Sequence, residues 1–271
     1  MTPRASDDHP PVFGGRFRLV QRLGRGQAGD VFEAEDLRLG GRAAVKVLSP
    51  EHGGTPVEER FVQEARVLAR LDHPHVVRLV GGLEAHDGLR YFAVELAEHG
   101  SLDTAIGPGG ALALDQALRF ARQILGALVH VHALGLIHRD VKPSNVLVFG
   151  GPCAKLADFG VVHDARRAIT MFGDELGTPA FMPPEQAIDP ADVSPSADVY
   201  GMGTTLFTMV TGDKPVVIST AGYRERALEA LPVGLREVVD RATRPFVEER
   251  YATAAHMLEA VVALEATAVT K

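Results

Sequence analysis

In the run His138-Arg139-Asp140-Val141-Lys142-Pro143-Ser144-Asn145, a carboxylate, an ammonium and a carboxamide follow one another closely. A second carboxylate arrives in Asp158-Phe159-Gly160, after a short apolar stretch. Hard oxygen ligands, a cation and a carboxylate that can receive a hydroxyl proton suit one task. They can grip metal-bound phosphates while aiming a hydroxyl at one of them. The chemistry implied is phosphoryl transfer from a nucleoside triphosphate. Each short motif is weak alone; their order and spacing carry the inference.

Gly24-Arg25-Gly26-Gln27-Ala28-Gly29-Asp30-Val31 spells G-x-G-x-x-G-x-V. Glycines there let backbone N–H groups approach phosphate oxygens. A dinucleotide-binding fold uses the same spelling, but with a strand before it and a helix after it. Here the strand-like Val31-Phe32-Glu33-Ala34 follows, then a second strand, which favours a hairpin flap over a nucleotide. The bland reading is an ordinary Gly-rich turn. Lys46 lies inside the apolar strand Ala44-Val45-Lys46-Val47, and Glu64 shares a helix face with Phe61, Ala65 and Leu68. One inward ammonium and one inward carboxylate would relieve each other's burial cost.

The elements that must position these groups divide into two runs. Residues 17–48 are strand-like around a Gly40-Gly41 turn, and 58–71 are helical. Two further strand-like runs span 76–80 and 91–96. Beyond the Glu98-His99-Gly100-Ser101 hinge, helices dominate. One is expected from Asp115, as its cap, to Leu134, ended by Gly135. A hairpin pairs 146–149 with 154–157, and helices are expected at 198–210, 235–243 and 253–264. The polar stretch 161–184 is long for a loop, as functional loops often are. The expected architecture is α+β and bilobal, a small β-rich lobe with one helix and a larger, mainly helical lobe. The cleft between them would hold the ligand.

The chain has 271 residues, 46% hydrophobic and 23% charged, enough apolar material for a substantial core. A net charge of -7 argues against a nucleic-acid partner. The single cysteine, Cys153, excludes an internal disulfide. The polar, Pro-rich start does not read as a signal peptide, and no run reads as a membrane span. A cytoplasmic protein is expected. His130 and His132, two apart on a helix, share no ligand face and read as bland, as do His73 and His75 around Pro74.

Taken together, these motifs resemble the catalytic domain of protein kinases. The resemblance runs from about Phe17 to Leu264, and is closest to the eukaryotic-like serine/threonine protein kinases of bacteria. It implies a lead-in over 1–16 and a catalytic domain over 17–264, followed by a tail over 265–271. Within the domain it implies an N-lobe over about 17–95, a hinge over 95–100 and a C-lobe over 101–264. Gly24, Gly26, Gly29 and Val31 match the Gly-rich loop. Ala43-Ala44-Val45-Lys46 matches the strand that carries the phosphate-binding lysine, and Glu64 matches its helix partner. Pro183-Pro184-Glu185 stands where the family writes A-P-E. Asp198 matches the buried aspartate of the central helix, and Arg250 the late arginine that pairs with Glu185.

By that resemblance Asp140 receives or orients the substrate hydroxyl, and Lys142 steadies the γ-phosphoryl group. Asn145 and Asp158 hold Mg²⁺, with Mn²⁺ as a substitute. ATP's adenine would meet Leu23, Val31, Ala44, Val94, Glu95, Ala97 and Leu147. Lys142 and Gly177-Thr178-Pro179 resemble the serine/threonine type, with Thr178 reaching the catalytic loop. Arg139, preceding Asp140, implies a switch by phosphorylation, and Thr170 is the first candidate, just downstream of Arg166 and Arg167. Protein substrates are implied, and self-association if the loop is phosphorylated in trans. Three features depart from the pattern: Gln27-Ala28 lacks a bulky loop tip, Pro183 replaces alanine, and Tyr200 stands where the family writes tryptophan. The alternative is a nucleotide-binding pseudokinase or scaffold, against which the intact Lys46, Asp140, Asn145 and Asp158 argue.

Overall fold

The computed structural model describes residues 10–107, 110–160, 163–164, 179–220 and 222–268. They form two compact units. The first takes residues up to Asp72 and Val77–Ala97; the second takes His73–Val76 and the chain from Glu98 onward.

Phe17-Arg18-Leu19-Val20 alternates buried and exposed side chains, as a strand covered on one face must. In the first unit, β1 (Val12–Phe13), β2 (Phe17–Arg25), β3 (Gly29–Asp36) and β4 (Arg42–Leu48) precede helix α1 (Pro56–Leu68). After it come β5 (Leu79–His86) and β6 (Leu89–Glu95). The sheet order is β1-β2-β3-β4-β6-β5, antiparallel throughout. β4 lies inside the sheet, which is why its sequence is nearly all apolar. The core joins Phe13, Phe17, Val45 and Tyr91, with Phe13 edge-on to Tyr91 at 5.2 Å.

The lead-in expected over residues 1–16 needs correction at its end. Val12 and Phe13 pair with Arg18 and Phe17, and Phe13 is buried. The strand expected from Val76 begins instead at Leu79. Val76 bridges Leu156 in the second unit, where the Leu156 N–H also donates to His75 O at 2.8 Å. β5 and β6 turn through Asp87-Gly88, both at positive φ (49° and 79°), as a two-residue hairpin requires.

The second unit runs α2 (Leu102–Ile106), α3 (Leu114–Ala133), β7 (Leu136–Ile137), β8 (Val146–Phe149), β9 (Cys153–Leu156) and β10 (His163–Asp164). Then follow α4 (Pro184–Ile188), α5 (Ser196–Thr211), α6 (Val216–Ser219), α7 (Arg224–Glu229), α8 (Val233–Ala242) and α9 (Ala254–Ala268). α3 begins one residue before Asp115, and its N-cap position is Ala113 with no side-chain cap, so the expected Asp115 cap is corrected. Short α2, α4, α6 and α7 carry too few turns to show a period, and had no sequence signal of their own. α5 is buried on every side, and the other elements of this unit assemble around it. A Cβ on Gly201 would meet the Val141 carbonyl oxygen at 2.8 Å. Glycine there lets the backbone carrying Asp140 lie directly against the central helix.

Candidate active site

Each unit carries one part of the expected chemistry. In the first, Lys46 pairs across strands with Val31 and Phe92, and its ammonium meets the Glu64 carboxylate at 2.5 Å. β4 presents the lysine and α1 the glutamate. The rest of α1's inner face, Phe61, Ala65, Val67 and Leu68, is buried, so the helix cannot rotate Glu64 away without exposing them. Phe61 also packs its ring on Phe92 at 4.9 Å.

The three loop glycines differ in what they avoid. A Cβ on Gly29 would lie 2.0 Å from the Val47 carbonyl oxygen, so strand contact alone demands glycine there. Gly24 has nothing within 4 Å, and Gly26 only the Gly29 oxygen at 3.8 Å. Those two are not required by packing in the chain itself, and their bare backbone suits the approach of phosphate. Of the expected adenine-contacting residues, Ala44 and Val94 are cross-strand partners and both buried. Leu23 is exposed on β2, and Val31, Glu95 and Ala97 are half-buried. Leu147 belongs to β8 in the second unit, half-buried.

In the second unit the catalytic-loop groups converge on Asp140. Lys142 Nζ lies 2.7 Å from Asp140 Oδ2. Asn145 Nδ2 donates to both the carbonyl and the carboxylate of Asp140, each at 2.8 Å. The side-chain nitrogen of Asn145 is therefore committed to Asp140, and the side-chain oxygen, a hard donor, is the end chemically suited to a cation. The Ala157 N–H donates to Asn145 O at 2.9 Å, which ties the strand leading into Asp158 to the same loop. Asp158 adopts φ 62°, followed by the buried Phe159 edge-on to His138 at 4.8 Å. One carboxylate and one carboxamide oxygen form a hard donor set, which fits Mg²⁺ completed by phosphate and water.

Beneath the loop, Asp198 accepts from the backbone N–H of His138 (2.9 Å) and of Arg139 (2.7 Å). His132 Nε2 lies 2.7 Å from the same carboxylate. Burial pushes the Asp198 carboxyl up, but the His132 contact and the donated N–H groups outweigh it and hold it below the usual range. His132, read as bland from sequence, is thus a partner of the aspartate that holds the loop. Its spacing from His130 carried no hint of this, because the partner lies 66 residues away.

Arg139 is held at φ 69°. Its Nε and Nη2, the side-on fork of the guanidinium, are buried with no hydrogen-bond partner among the described residues. Burial pulls its pKa down, with the charge of Asp198 acting in the opposite sense. Thr170 and Thr178, like Arg166 and Arg167, lie outside the described residues. Farther along, Arg250 clamps Glu185 through two hydrogen bonds of 2.6 and 2.7 Å, with its guanidinium 4.9 Å over the ring of Tyr200.

A strand-borne Lys–Glu pair beneath a glycine-rich hairpin, with an Asp–Lys–Asn loop locked onto a buried helix, defines the protein kinase class. A protein kinase domain profile matches residues 17–265, and the chain belongs to that family. It is 33% identical to the serine/threonine-protein kinase PknA of Mycobacterium tuberculosis, over 98% of this chain and 64% of that protein. It is 36% identical to serine/threonine-protein kinase pkn2 of Myxococcus xanthus over 75% of this chain and 25% of that protein. It is 31% identical to a probable serine/threonine-protein kinase PknB of Lactococcus lactis, over 91% of this chain and 42% of that protein. The chain thus spans no more than 64% of the length of these relatives. The β-sheet first unit and helical second unit are those expected of the family. Among the described residues no helix is long and apolar enough to cross a membrane.

Proposed function

We propose that this protein is a serine/threonine protein kinase that transfers the γ-phosphoryl group of ATP to hydroxyls of protein substrates, its own loop included. The observation that carries the reading is the Asp140 carboxylate, restrained at once by Lys142 and Asn145. A loose phosphoryl-transfer transition state needs alignment more than a strong base, and a doubly restrained carboxylate supplies alignment.

Asp140 orients the acceptor hydroxyl and takes its proton as the new O–P bond forms and the bond from the γ-phosphorus to the β–γ bridging oxygen breaks, with ADP as the leaving group. Lys142 offsets charge on the γ-phosphoryl oxygens. Lys46, kept in place by Glu64, binds the α- and β-phosphates, and the absence of side chains at Gly24 and Gly26 lets the phosphates lie close against the loop. Asn145 Oδ1 and the Asp158 carboxylate would hold Mg²⁺, which when bound neutralises phosphate charge. The unsatisfied fork of Arg139 supports activation by phosphate on Thr170, since a phosphate would match two parallel N–H donors. Self-association would serve transfer between two copies, and a cytoplasmic site of action is part of the same proposal.

The test is incubation of the purified chain with ATP and Mg²⁺ beside Asp140→Asn and Thr170→Ala, with phosphosites mapped by mass spectrometry. Phosphate on Ser or Thr in the wild type, none in Asp140→Asn and lowered transfer in Thr170→Ala are expected. ATP binding with no transfer would replace the kinase reading with a nucleotide-binding scaffold. Unchanged turnover in Thr170→Ala would remove the switch alone.

A further inference from the structure

Arg139 occupies the left-handed region at φ 69°, where an L side chain crowds its own backbone. A non-glycine residue stays there only when its surroundings over-determine it. Two peptide groups flank Arg139, and each is held by a different element. Its N–H donates to Asp198 Oδ1 at 2.7 Å, from α5. Its carbonyl accepts from Gln186 Nε2 at 3.0 Å, from α4. The second of these peptide groups is the Arg139–Asp140 link itself, and among the described residues its N–H makes only a long contact with His138 Nδ1, at 3.3 Å. Gln186 is buried, and its own Oε1 has no hydrogen-bond partner among the described residues. The amide is thus spent on a single bond, to the carbonyl one residue before the carboxylate that aims the hydroxyl. The reverse amide orientation would set two oxygens against each other.

We infer that Gln186 is a positioning residue, which holds the Arg139–Asp140 peptide in its strained orientation and so sets the aim of Asp140. The inference rests on the kinase reading and deepens it. Gln186 immediately follows Glu185, which Arg250 anchors, so the short helix after the polar loop is joined by one amide to the catalytic loop. A shift of α4 would reach Asp140 through this bond. Nothing about Gln186 marks it in the sequence: the polar residue lies in a five-residue helix too short to show a face.

The experiment measures phosphotransfer from ATP to myelin basic protein by the full chain, with kcat and the KM for ATP determined separately. The variants are Gln186→Leu and Gln186→Glu, with Asp140→Asn as the inactive reference. Gln186→Leu leaves a buried carbonyl without its donor. We expect kcat to fall about tenfold to a hundredfold, with the KM for ATP within about twofold of the wild type. The loss should shrink when Gln186→Leu is placed on Arg139→Gly, because glycine takes positive φ without strain and needs less holding. In Gln186→Glu an ionised carboxylate has no proton to donate, whereas the acid form does. Its kcat deficit against the wild type, measured at temperatures where thermal unfolding shows both folded, should narrow as pH falls through the carboxyl's pKa. A deficit that is equal in both backgrounds and constant with pH would overturn the inference and leave Gln186 a packing residue. A wild-type kcat indistinguishable from that of Asp140→Asn would instead overturn the kinase reading, and this inference with it.

Discussion

Replacing Arg250 by methionine should strongly destabilise the second unit, and the contacts say by how much. Each guanidinium nitrogen is in use. Nε donates to Arg244 O at 2.7 Å. Nη1 donates to Glu185 Oε1 at 2.6 Å and to Ser196 O at 3.3 Å. Nη2 donates to Glu185 Oε2 at 2.7 Å and to Pro245 O at 3.0 Å. The five donors of an arginine meet five acceptors, and the side chain of Arg250 is fully buried. Methionine preserves much of the volume but leaves the Glu185 carboxylate and three carbonyls without these donors. Breaking a buried pair by removing one partner costs about 3–5 kcal/mol. At about 2–4 °C per kcal/mol for a chain approaching this size, the melting temperature should drop by roughly 6–20 °C. Arg250→Lys keeps the charge but has three donors in the wrong geometry, so about half of that loss should remain. Urea unfolding followed by circular dichroism, with calorimetry for the melting temperature, measures both. Tyrosine fluorescence is a second probe, since the chain has no tryptophan. A loss below about 1 kcal/mol for Arg250→Met would refute the reasoning, and would mean that Glu185 and the carbonyls find water or other donors without cost.

Two further predictions follow from the first unit. Gly29→Ala should cost about 1–3 kcal/mol in urea unfolding, because its Cβ would run into the Val47 backbone. Gly26→Ala should leave stability within about 0.5 kcal/mol yet raise the KM for ATP, because its Cβ meets only the Gly29 oxygen, at an uncrowded 3.8 Å, on the side where phosphate is expected; equal stability losses would contradict this. Asp36 is held down at about 2 by hydrogen bonds from Arg16, opposed by burial and helped by the N–H groups of Leu39 and Arg38. A depressed carboxyl contributes stability above its unfolded pKa and loses it as pH falls through the folded one. The gap in urea midpoint between wild type and Asp36→Asn should therefore be flat at neutral pH and close as pH falls from 3.8 toward about 2; a gap that persists at the acid end would contradict the assignment.

What the sequence determined by itself is local chemistry and period. The order of Gly24, Lys46, Glu64, Asp140, Asn145 and Asp158 was enough to recognise the family. The apolar periods of α1, α3 and α9 placed those helices within a few residues. Lys46 and Glu64 could be paired on paper because each sits on an inward face whose period is legible and whose charge needs a partner. Contacts between residues distant in the chain were decided only by tertiary structure. Val12 and Phe13 looked like a loose end because two residues show no alternation; pairing with Arg18 and Phe17 makes them a strand, and Phe13 is anchored against Tyr91. Val76 looked like the start of a strand because it is apolar, but its backbone partner is Leu156, 80 residues along the chain and in the same second unit. His132 and Gln186 carry no signal at all, since a polar residue on a mostly buried helix, or in one of a single turn, reads alike whether it is solvated or bonded. Their roles come from a carboxylate on α5 and a carbonyl in the catalytic loop. Hydrophobic period records which way a side chain points, but a hydrogen bond depends on what the rest of the fold has placed opposite it.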